Sequence, residues 1–226
     1  MKQGSRGTAG SAAPRLASLD PETFRKRLLA VRGVPDPGPA GLAALHAHYS
    51  ELVRWSARID LVGPAAAEEI FERHYAESLA ALPLLPAEGG RLVDLGSGAG
   101  FPGFVLAAVR PDLDVILVEP RQKRRAFLAA AARSAALSCR ILDARVSPNA
   151  PPELPGGIDM VTLRALRLDR LALERLLPLL APNGRIVAWS GRDGLDLPPG
   201  LVPGRTLPLP ESEHRALREY LRTETK

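Results

Sequence analysis

The spacing of hydrophobic and polar positions along this chain changes at about residue 90. Before that point, apolar residues recur at helical spacing, as Leu42, Leu45 and Tyr49 do. After it, short apolar runs alternate with longer helical patterns, which is typical of a parallel sheet with helices on both faces. The pattern therefore predicts an α/β fold that follows a helical region.

The predicted elements divide the chain into three parts. Residues 1–18 are rich in Gly, Ser and Ala and have no apolar period, so we expect a disordered basic leader. Residues 19–88 are expected to form a helical cap, and residues 89–226 to form the sheet domain. The expected helices span about residues 20–32, 39–55 and 65–82 in the cap, and 103–109, 122–137 and 168–180 beyond it.

The strand pattern begins directly after the cap. Short apolar runs predict strands over residues 91–95, 114–118, 139–142, 158–163 and 185–189. Pro-Asn-Gly at 182–184 predicts a turn. The tail from residue 202 predicts a closing hairpin with strands over 206–209 and 215–221, although the second is charged enough to be a helix instead.

The net charge of the chain is concentrated at its N-terminal end. The 226 residues contain 30 Lys and Arg against 25 Asp and Glu, a formal net charge of +5. Residues 1–33 hold seven of the basic residues and two of the acids, so the remainder is balanced. A basic arm on a neutral domain fits contact with RNA phosphates, and it fits a solvated leader almost as well.

Composition argues against several classes of protein. The sequence contains no run of 18 apolar residues that would predict a membrane span, and residues 1–20 lack the apolar stretch of a secretory signal. Cys139 is the only cysteine, so we expect neither an intrachain disulfide nor a cysteine metal cluster. The expectation is a cytoplasmic protein without bound metal, acting as a monomer.

The most informative segment is the glycine-rich run DLGSGAGFPG at residues 94–103. It follows a predicted strand and opens a helix, and Gly96, Gly98 and Gly100 let a ligand approach the backbone closely. Glu119 ends the next strand, where a carboxylate can hold both hydroxyls of a ribose. Together these features predict an adenosine-type cofactor; the alternative is a tight turn with a surface glutamate.

The charges around the loop indicate which cofactor it is. Residues 98–103 match the GxGxxG pattern of dinucleotide sites, but Asp94 would repel a pyrophosphate. Pro102 also lacks the backbone N–H that a phosphate would need. S-adenosylmethionine carries an ammonium and a sulfonium group, and an acid just before the first glycine favours both. We therefore expect S-adenosylmethionine.

Methyl acceptors differ in the catalytic groups that they require. Pyrimidine C5 needs a nucleophilic cysteine, and Cys139 lies at the start of a strand, the wrong end of the sheet. Exocyclic amines are commonly handled by a polar-Pro-Pro-aromatic turn after the fourth strand, where this chain has LRAL at 163–166. The remaining class is an acceptor that is already nucleophilic, such as a purine ring nitrogen. Such an acceptor needs no base, and we assign no catalytic residue.

Several arginines are candidates for binding anionic groups. Arg164 ends the fourth strand, where it can pair with the cofactor carboxylate or hold the acceptor, unless it is simply solvated. Basic residues also begin the helix after Glu119, and they either meet RNA phosphates or form a solvated helix face. These residues are Arg121, Lys123, Arg124 and Arg125.

At these residues the chain resembles the RsmG (GidB) family of bacterial 16S rRNA guanine-N7 methyltransferases. The resemblance covers roughly residues 45–192, and its most specific part is residues 94–103, where Phe-Pro-Gly follows the glycines. It implies a class I methyltransferase (Rossmann-like) fold with a mostly parallel seven-stranded sheet and an N-terminal helical cap. It further implies methylation of guanine N7 in 16S ribosomal RNA or in the small ribosomal subunit. Other matches are Arg110-Pro111-Asp112-Leu113, Lys123-Arg124, Phe127-Leu128, Arg164-Ala165, Trp55, His74 and Ser78.

The resemblance also implies roles by position. Gly96 and Phe101 would contact the methionine part of the cofactor, and Glu119 its ribose. Val146 and Ser147 match the segment near the adenine, where the family usually has Ala-Glu. The full cofactor-binding set is Asp94, Gly96, Gly98, Gly100, Phe101, Glu119, Val146, Ser147 and Arg164, and the RNA-binding set is Arg121, Lys123, Arg124, Arg125 and Arg192.

The chain departs from the family pattern on the acceptor side, at Ser56, Asp60, Val62, Glu77 and Ser190. The first three interrupt the family's Trp-Asn-x-x-x-Asn-Leu-Thr, the fourth is usually Asp, and the fifth is usually Lys. Two alternatives therefore stay open. One is a methyltransferase that acts on another RNA, a protein or a small molecule, and the other is a non-catalytic nucleotide- or RNA-binding relative.

Overall fold

A single seven-stranded sheet organises the computed structural model, which describes residues 16–63, 67–147, 149, 153–166, 168–191 and 193–223. The strand order is β3-β2-β1-β4-β5-β7-β6. Strands β1 to β5 run parallel to one another, and β7 is antiparallel to both β5 and β6. The predicted mostly parallel sheet is confirmed. The strands are β1 Arg91–Leu95, β2 Asp114–Val118, β3 Cys139–Leu142, β4 Ile158–Arg164, β5 Leu180–Ser190, β6 Leu201–Leu209 and β7 Ser212–Arg222.

The helices precede the sheet or connect its strands. Helix α1 begins after Asp20, whose carboxylate accepts from the Thr23 backbone N–H at 2.9 Å, and Pro21 takes the first helical position. The α-helices are α1 Pro21–Ala30, α2 Gly38–Ser56, α3 Gly103–Val109, α4 Gln122–Ser134 and α5 Arg170–Leu176. A π-helical segment, π1, spans Ile70–Ala76 and continues in one α-helical turn, Glu77–Leu79; 3₁₀ turns span Leu82–Leu84 and Leu177–Leu179.

Alternation along the strands separates two cores, one on each face of the sheet. In β1, Leu92 packs with the cap, α3 and α4, whereas Val93 and Leu95 pack with α5 on the other face. Phe24 and Leu45 of the cap belong to the same buried cluster as Leu92, so the cap extends the core of the sheet domain. The cap is therefore fixed above the strand that leads into the glycine loop.

The prediction of one helix over residues 65–82 was wrong. Residues 64–66 lie outside the described part of the chain, and 70–76 are wound as the π-helix π1. Periodicity shows which side of a segment is buried, but it does not distinguish i→i+4 from i→i+5 winding. Here the run from Tyr75 to Leu79 is wholly buried, which is more than one face of an α-helix provides.

The structure also decides several other boundaries that the sequence prediction left open or placed differently. The expected turn at 182–184 lies inside β5, because the register with β4 shifts between the pairs Ile158–Leu180 and Met160–Arg185 and the extra residues bulge. The helix expected over 168–180 ends its α-helical winding at Leu176, before Pro178. The last segment of the hairpin is a strand, since β7 pairs with β5 along 185–190.

Candidate cofactor and acceptor site

A cavity of about 420 Å³ opens at the carboxyl ends of β1, β2 and β4. This is where parallel α/β sheets bind ligands, and roughly 300–1,000 Å³ is the usual volume of small-molecule sites. Four predicted cofactor residues, Gly96, Glu119, Val146 and Arg164, lie in its wall. The other lining residues are Leu95, Val118, Pro120, Arg121, Arg124, Ala144, Arg145, Ala165 and Leu166.

The glycine loop is tied to the end of β2. The backbone N–H groups of Gly96 and Ser97 both donate to the Val118 carbonyl, at 2.8 and 3.0 Å. Gly98 has φ +56°, a left-handed conformation that costs other residues free energy. Gly96 and Gly100 also have positive φ. The loop therefore presents a bare backbone beside the residue that follows Val118.

That residue, Glu119, is 3% exposed and held by backbone amides. Its Oε2 accepts from the Gly98 N–H at 3.0 Å, and its Oε1 accepts from the Arg121 N–H at 2.8 Å. A carboxylate offers about four acceptor positions, so each oxygen retains acceptor capacity toward the cavity. A fixed carboxylate beside a glycine backbone fits the ribose of S-adenosylmethionine.

Asp94 lies beneath the loop rather than in the cavity wall. Its Oδ1 accepts from the Thr162 hydroxyl at 2.7 Å and its Oδ2 from the Gly103 N–H at 3.2 Å, and burial raises the pKa of the carboxyl. A Cβ at Gly103 would lie 2.5 Å from the Asp94 Cβ, so only glycine lets α3 approach β1 this closely. Asp94 thus stabilises the loop from below. The sequence did not predict its hydrogen-bond partners, Thr162 and Gly103.

Phe101 closes the loop against the cap. It is buried and stacks on the His74 ring with centroids 4.7 Å apart. Both ring nitrogens of His74 are buried and have no hydrogen-bond partner among the described residues. Burial, with Arg164 and Arg73 nearby, lowers the pKa of His74 to about 3, so the imidazole is neutral at neutral pH.

Arg164 lines the cavity, but its guanidinium group reaches into the cap. It donates to Glu77 Oε2 at 3.0 Å, to the His74 carbonyl at 3.4 Å and to the Arg73 carbonyl. Burial lowers the pKa of Arg164 to about 10, which leaves it charged at neutral pH. Glu77 is fully buried and also pairs with Arg215. The structure therefore uses Arg164 to join the sheet to the cap at the edge of the cavity.

The remaining predicted residues fall in different places. Arg121, Lys123 and Arg124 line a groove of about 410 Å³ with Arg58, which sequence reasoning missed although it lies within the divergent WSARIDLV segment. Arg125 turns inward and donates to the Glu119 and Pro120 carbonyls while pairing with Asp143 at 2.7 Å. The Ser147 hydroxyl accepts from the Asn149 N–H at 3.2 Å, next to Val146. Arg192 lies outside the described residues.

A second cavity of about 380 Å³ adjoins the first at the ends of β4 and β5, and the two share Ala165 and Leu166. Trp189 and Ser190 lie in its wall. The Ser190 hydroxyl is buried and has no partner in the described part of the chain. A flat group entering here would lie beside whatever occupies the first cavity.

Two kinds of feature are absent from the described ranges. No group of three or more His, Cys, Asp or Glu residues there is arranged to hold a metal ion. No helix in those ranges has the length and apolar character needed to cross a membrane.

Comparison with known proteins places these residues in context. The family model for GidB, rRNA small subunit methyltransferase G, matches residues 42–196. Ribosomal RNA small subunit methyltransferase G of Paramagnetospirillum magneticum is 42% identical over 69% of this chain and 73% of its own length. The protein of the same name from Acidiphilium cryptum is 39% identical over 66% of this chain and 67% of its own. A SAM-dependent methyltransferase from Aquifex aeolicus has a similar fold, with a TM-score of 0.50 and 14% identity over 66% of this chain and 91% of its own.

Proposed function

We propose that this chain, which belongs to the GidB family (rRNA small subunit methyltransferase G), methylates N7 of a guanine in 16S ribosomal RNA. S-adenosylmethionine is the methyl donor. We further propose that residues 89–226 form the methyltransferase domain and that residues 19–88 form a cap over its loop. The protein is expected to act in the cytoplasm, as a monomer.

The bond between the Gly98 N–H and the Glu119 carboxylate carries the proposed cofactor site. It joins the glycine loop to the predicted ribose-binding acid, which lines the first cavity together with Gly96. When bound, S-adenosylmethionine supplies an electrophilic methyl group for in-line displacement. The residues of this chain supply position and exclusion of water, which are the main requirements of such a transfer.

The acceptor base is proposed to enter the second cavity. It adjoins the first, and its wall contains the apolar side chains of Leu163 and Leu168 together with Ser190, whose hydroxyl has no partner among the described residues. Guanine N7 carries its own lone pair, so transfer to it needs no general base. The pKa of His74 is about 3, so the buried imidazole that stacks on Phe101 is a weak base, in agreement with a transfer that needs none.

The RNA backbone is proposed to follow the groove formed by Arg58, Arg121, Lys123 and Arg124. Arg121 and Arg124 also line the cofactor cavity, so a strand in this groove passes its mouth. Arginine and lysine side chains on one surface bind phosphates with a strong dependence on salt. Arg125 is not part of this surface, because its guanidinium group is used inside the fold.

Calorimetric titration with S-adenosylmethionine tests the cofactor site. Gly98→Val should abolish measurable binding, since a β-branched residue is strained at φ +56° and its side chain would crowd the Arg124 guanidinium group, which lies 3.4 Å from a Cβ at this position. Gly156→Val is the matched control, because a Cβ there meets nothing within 4 Å and φ is not positive. Normal affinity in a folded Gly98→Val protein would refute the site.

The salt dependence of RNA affinity tests the groove. Arg58→Gln should weaken binding to small-subunit RNA and lower the slope of log affinity against log salt by about 0.7–0.9. Arg170→Gln removes a charge from α5, on the other face of the sheet, and should leave the slope unchanged. Equal effects of the two variants would refute a localised RNA surface.

A further inference from the structure

We infer that His48 is a positioning residue of the cofactor site, through which the helical cap holds the glycine loop in its ligand-binding shape. The inference rests on the cofactor site proposed above. It concerns a residue outside both cavities and outside the predicted site.

His48 connects three segments that are far apart in sequence. It projects from α2 and is fully buried. Its Nδ1 lies 2.7 Å from the Tyr75 hydroxyl of π1, and its Nε2 lies 2.8 Å from the Ala99 carbonyl in the glycine loop. The cap and the loop therefore meet at one imidazole ring.

The two partners of the ring determine its tautomer. A carbonyl oxygen can only accept, so Nε2 carries the hydrogen and donates to Ala99. Nδ1 is then the acceptor, and the Tyr75 hydroxyl donates to it. Burial lowers the pKa of His48 to about 4, which keeps the ring neutral and this arrangement intact at neutral pH.

Aromatic packing fixes the orientation of the ring. The ring centroids of Phe104, Phe101 and Phe127 lie 4.5, 5.2 and 5.6 Å from that of His48. Two of these residues belong to the loop and to the helix that it opens, and the third to α4. The donor at Nε2 is thus aimed at Ala99 by packing as well as by the Tyr75 bond.

Ala99 is the point of the loop where such a bond has most effect. It follows Gly98, whose N–H holds Glu119. Without His48, the Ala99 carbonyl would be a buried acceptor without its partner, and the loop would have to rearrange to satisfy it. Cofactor binding would then have to restore the loop, so affinity would fall while the methyl-transfer step, with the cofactor in place, would change little.

His46 provides a matched control on the same helix. Its Nε2 lies 2.8 Å from a backbone carbonyl, that of Leu19, which is part of the cap and not of the loop. His46 also packs against an aromatic ring, that of Phe24. His46→Phe and His48→Phe therefore remove the same kind of hydrogen bond and keep an aromatic ring in place.

The test measures the Kd for S-adenosylmethionine by calorimetry and the KM and kcat of methylation with small ribosomal subunits. His48→Phe removes the bonds to both Ala99 and Tyr75, and the unpartnered Ala99 carbonyl should raise Kd and KM for the cofactor about tenfold, with kcat changed less than about twofold. His46→Phe should leave both constants within about twofold. His48→Gln, whose amide can donate from a position close to that of Nε2, should recover most of the affinity.

The outcomes are distinct even if one variant fails to fold. Tyr75→Phe removes only the donor to Nδ1 and should raise Kd less than His48→Phe, with no further rise in the double variant if the two act through one bond. An unchanged Kd in folded His48→Phe overturns the inference, and if that variant does not fold, an unchanged Kd in Tyr75→Phe does so. An equal rise in Kd in His46→Phe also overturns it. If Gly98→Val also binds normally, the cofactor site itself is wrong; if only Gly98→Val loses binding, this inference alone fails.

Discussion

Buried carboxylates stabilise two separate regions of this molecule. The groups that donate hydrogen bonds to these carboxylates differ between the two regions. Beside the glycine loop, Glu119 accepts from two backbone N–H groups, and Asp94 accepts from one backbone N–H and from the Thr162 hydroxyl. At the junction of cap and sheet, Glu77 is paired with two arginines, Arg164 and Arg215, that lie 87 and 138 residues away along the chain.

This difference in hydrogen-bond donors separates a region that binds the cofactor from a region that holds the cap on the sheet. Backbone donors are fixed by the fold, so Glu119 stays in place and keeps acceptor capacity for a ligand. Arginine partners must themselves be brought from β4 and β7, so Glu77 stabilises the docking of the cap only when the whole sheet has formed. Changes in the first region should alter cofactor affinity, and changes in the second should alter stability.

The largest expected effect lies in the second region. Glu77→Ala leaves two buried or half-buried guanidinium groups without their carboxylate, and should lower the free energy of unfolding by about 3–5 kcal/mol in denaturant titrations. Glu69→Ala breaks the exposed pair with Arg73 and should cost about 1 kcal/mol or less. Equal losses would show that the junction does not stabilise the fold as described.

The first region should respond in binding. Glu119→Ala should weaken S-adenosylmethionine affinity by roughly 1.5–3 kcal/mol, the range for hydrogen bonds to a charged group. The control is Glu174→Ala, which removes a surface carboxylate paired with Arg170 on α5. Calorimetry that gave wild-type affinity for the Glu119 variant would remove the carboxylate from the site.

A more gradual effect, spread over more than two pH units, concerns acid sensitivity. An unfolded histidine binds a proton near pH 6.5, whereas His48 in the fold stays neutral until about pH 4. The unfolded state binds more protons in this window, so the free energy of unfolding should fall as the pH decreases from 6.5 toward 4, by up to roughly 1.4 kcal/mol per pH unit. His74, with a pKa of about 3, acts in the same direction.

Denaturant titrations at several pH values can isolate the contribution of His48. The raised pKa of Asp94 has the opposite sign, because the folded state then binds more protons above pH 3.8 and stability falls as the pH rises through that range. The comparison must therefore be between wild type and His48→Gln, which should show a flatter dependence between pH 6.5 and 4. Parallel curves for the two proteins would mean that His48 titrates normally in the fold.

The same contrast shows what the sequence could predict. The strands that flank the glycine loop were predicted within a residue, because short apolar runs and glycines are local signals. The bonds from Glu77 to Arg164 and Arg215 join segments that no periodicity connects, and the link from His48 to Ala99 joins residues 51 apart. Glu77 was noted only as a departure from a family pattern, and its burial between two arginines depends on packing that emerges when the sheet is complete.

The most direct test of the proposed function is a map of N7-methylguanine in 16S ribosomal RNA by chemical cleavage. The RNA would come from a strain lacking this gene, complemented with the wild-type chain or with Gly98→Val. We predict one guanine whose cleavage disappears in the deletion strain, returns with the wild type and stays absent with the variant. An unchanged cleavage pattern in the deletion strain would contradict the proposed function.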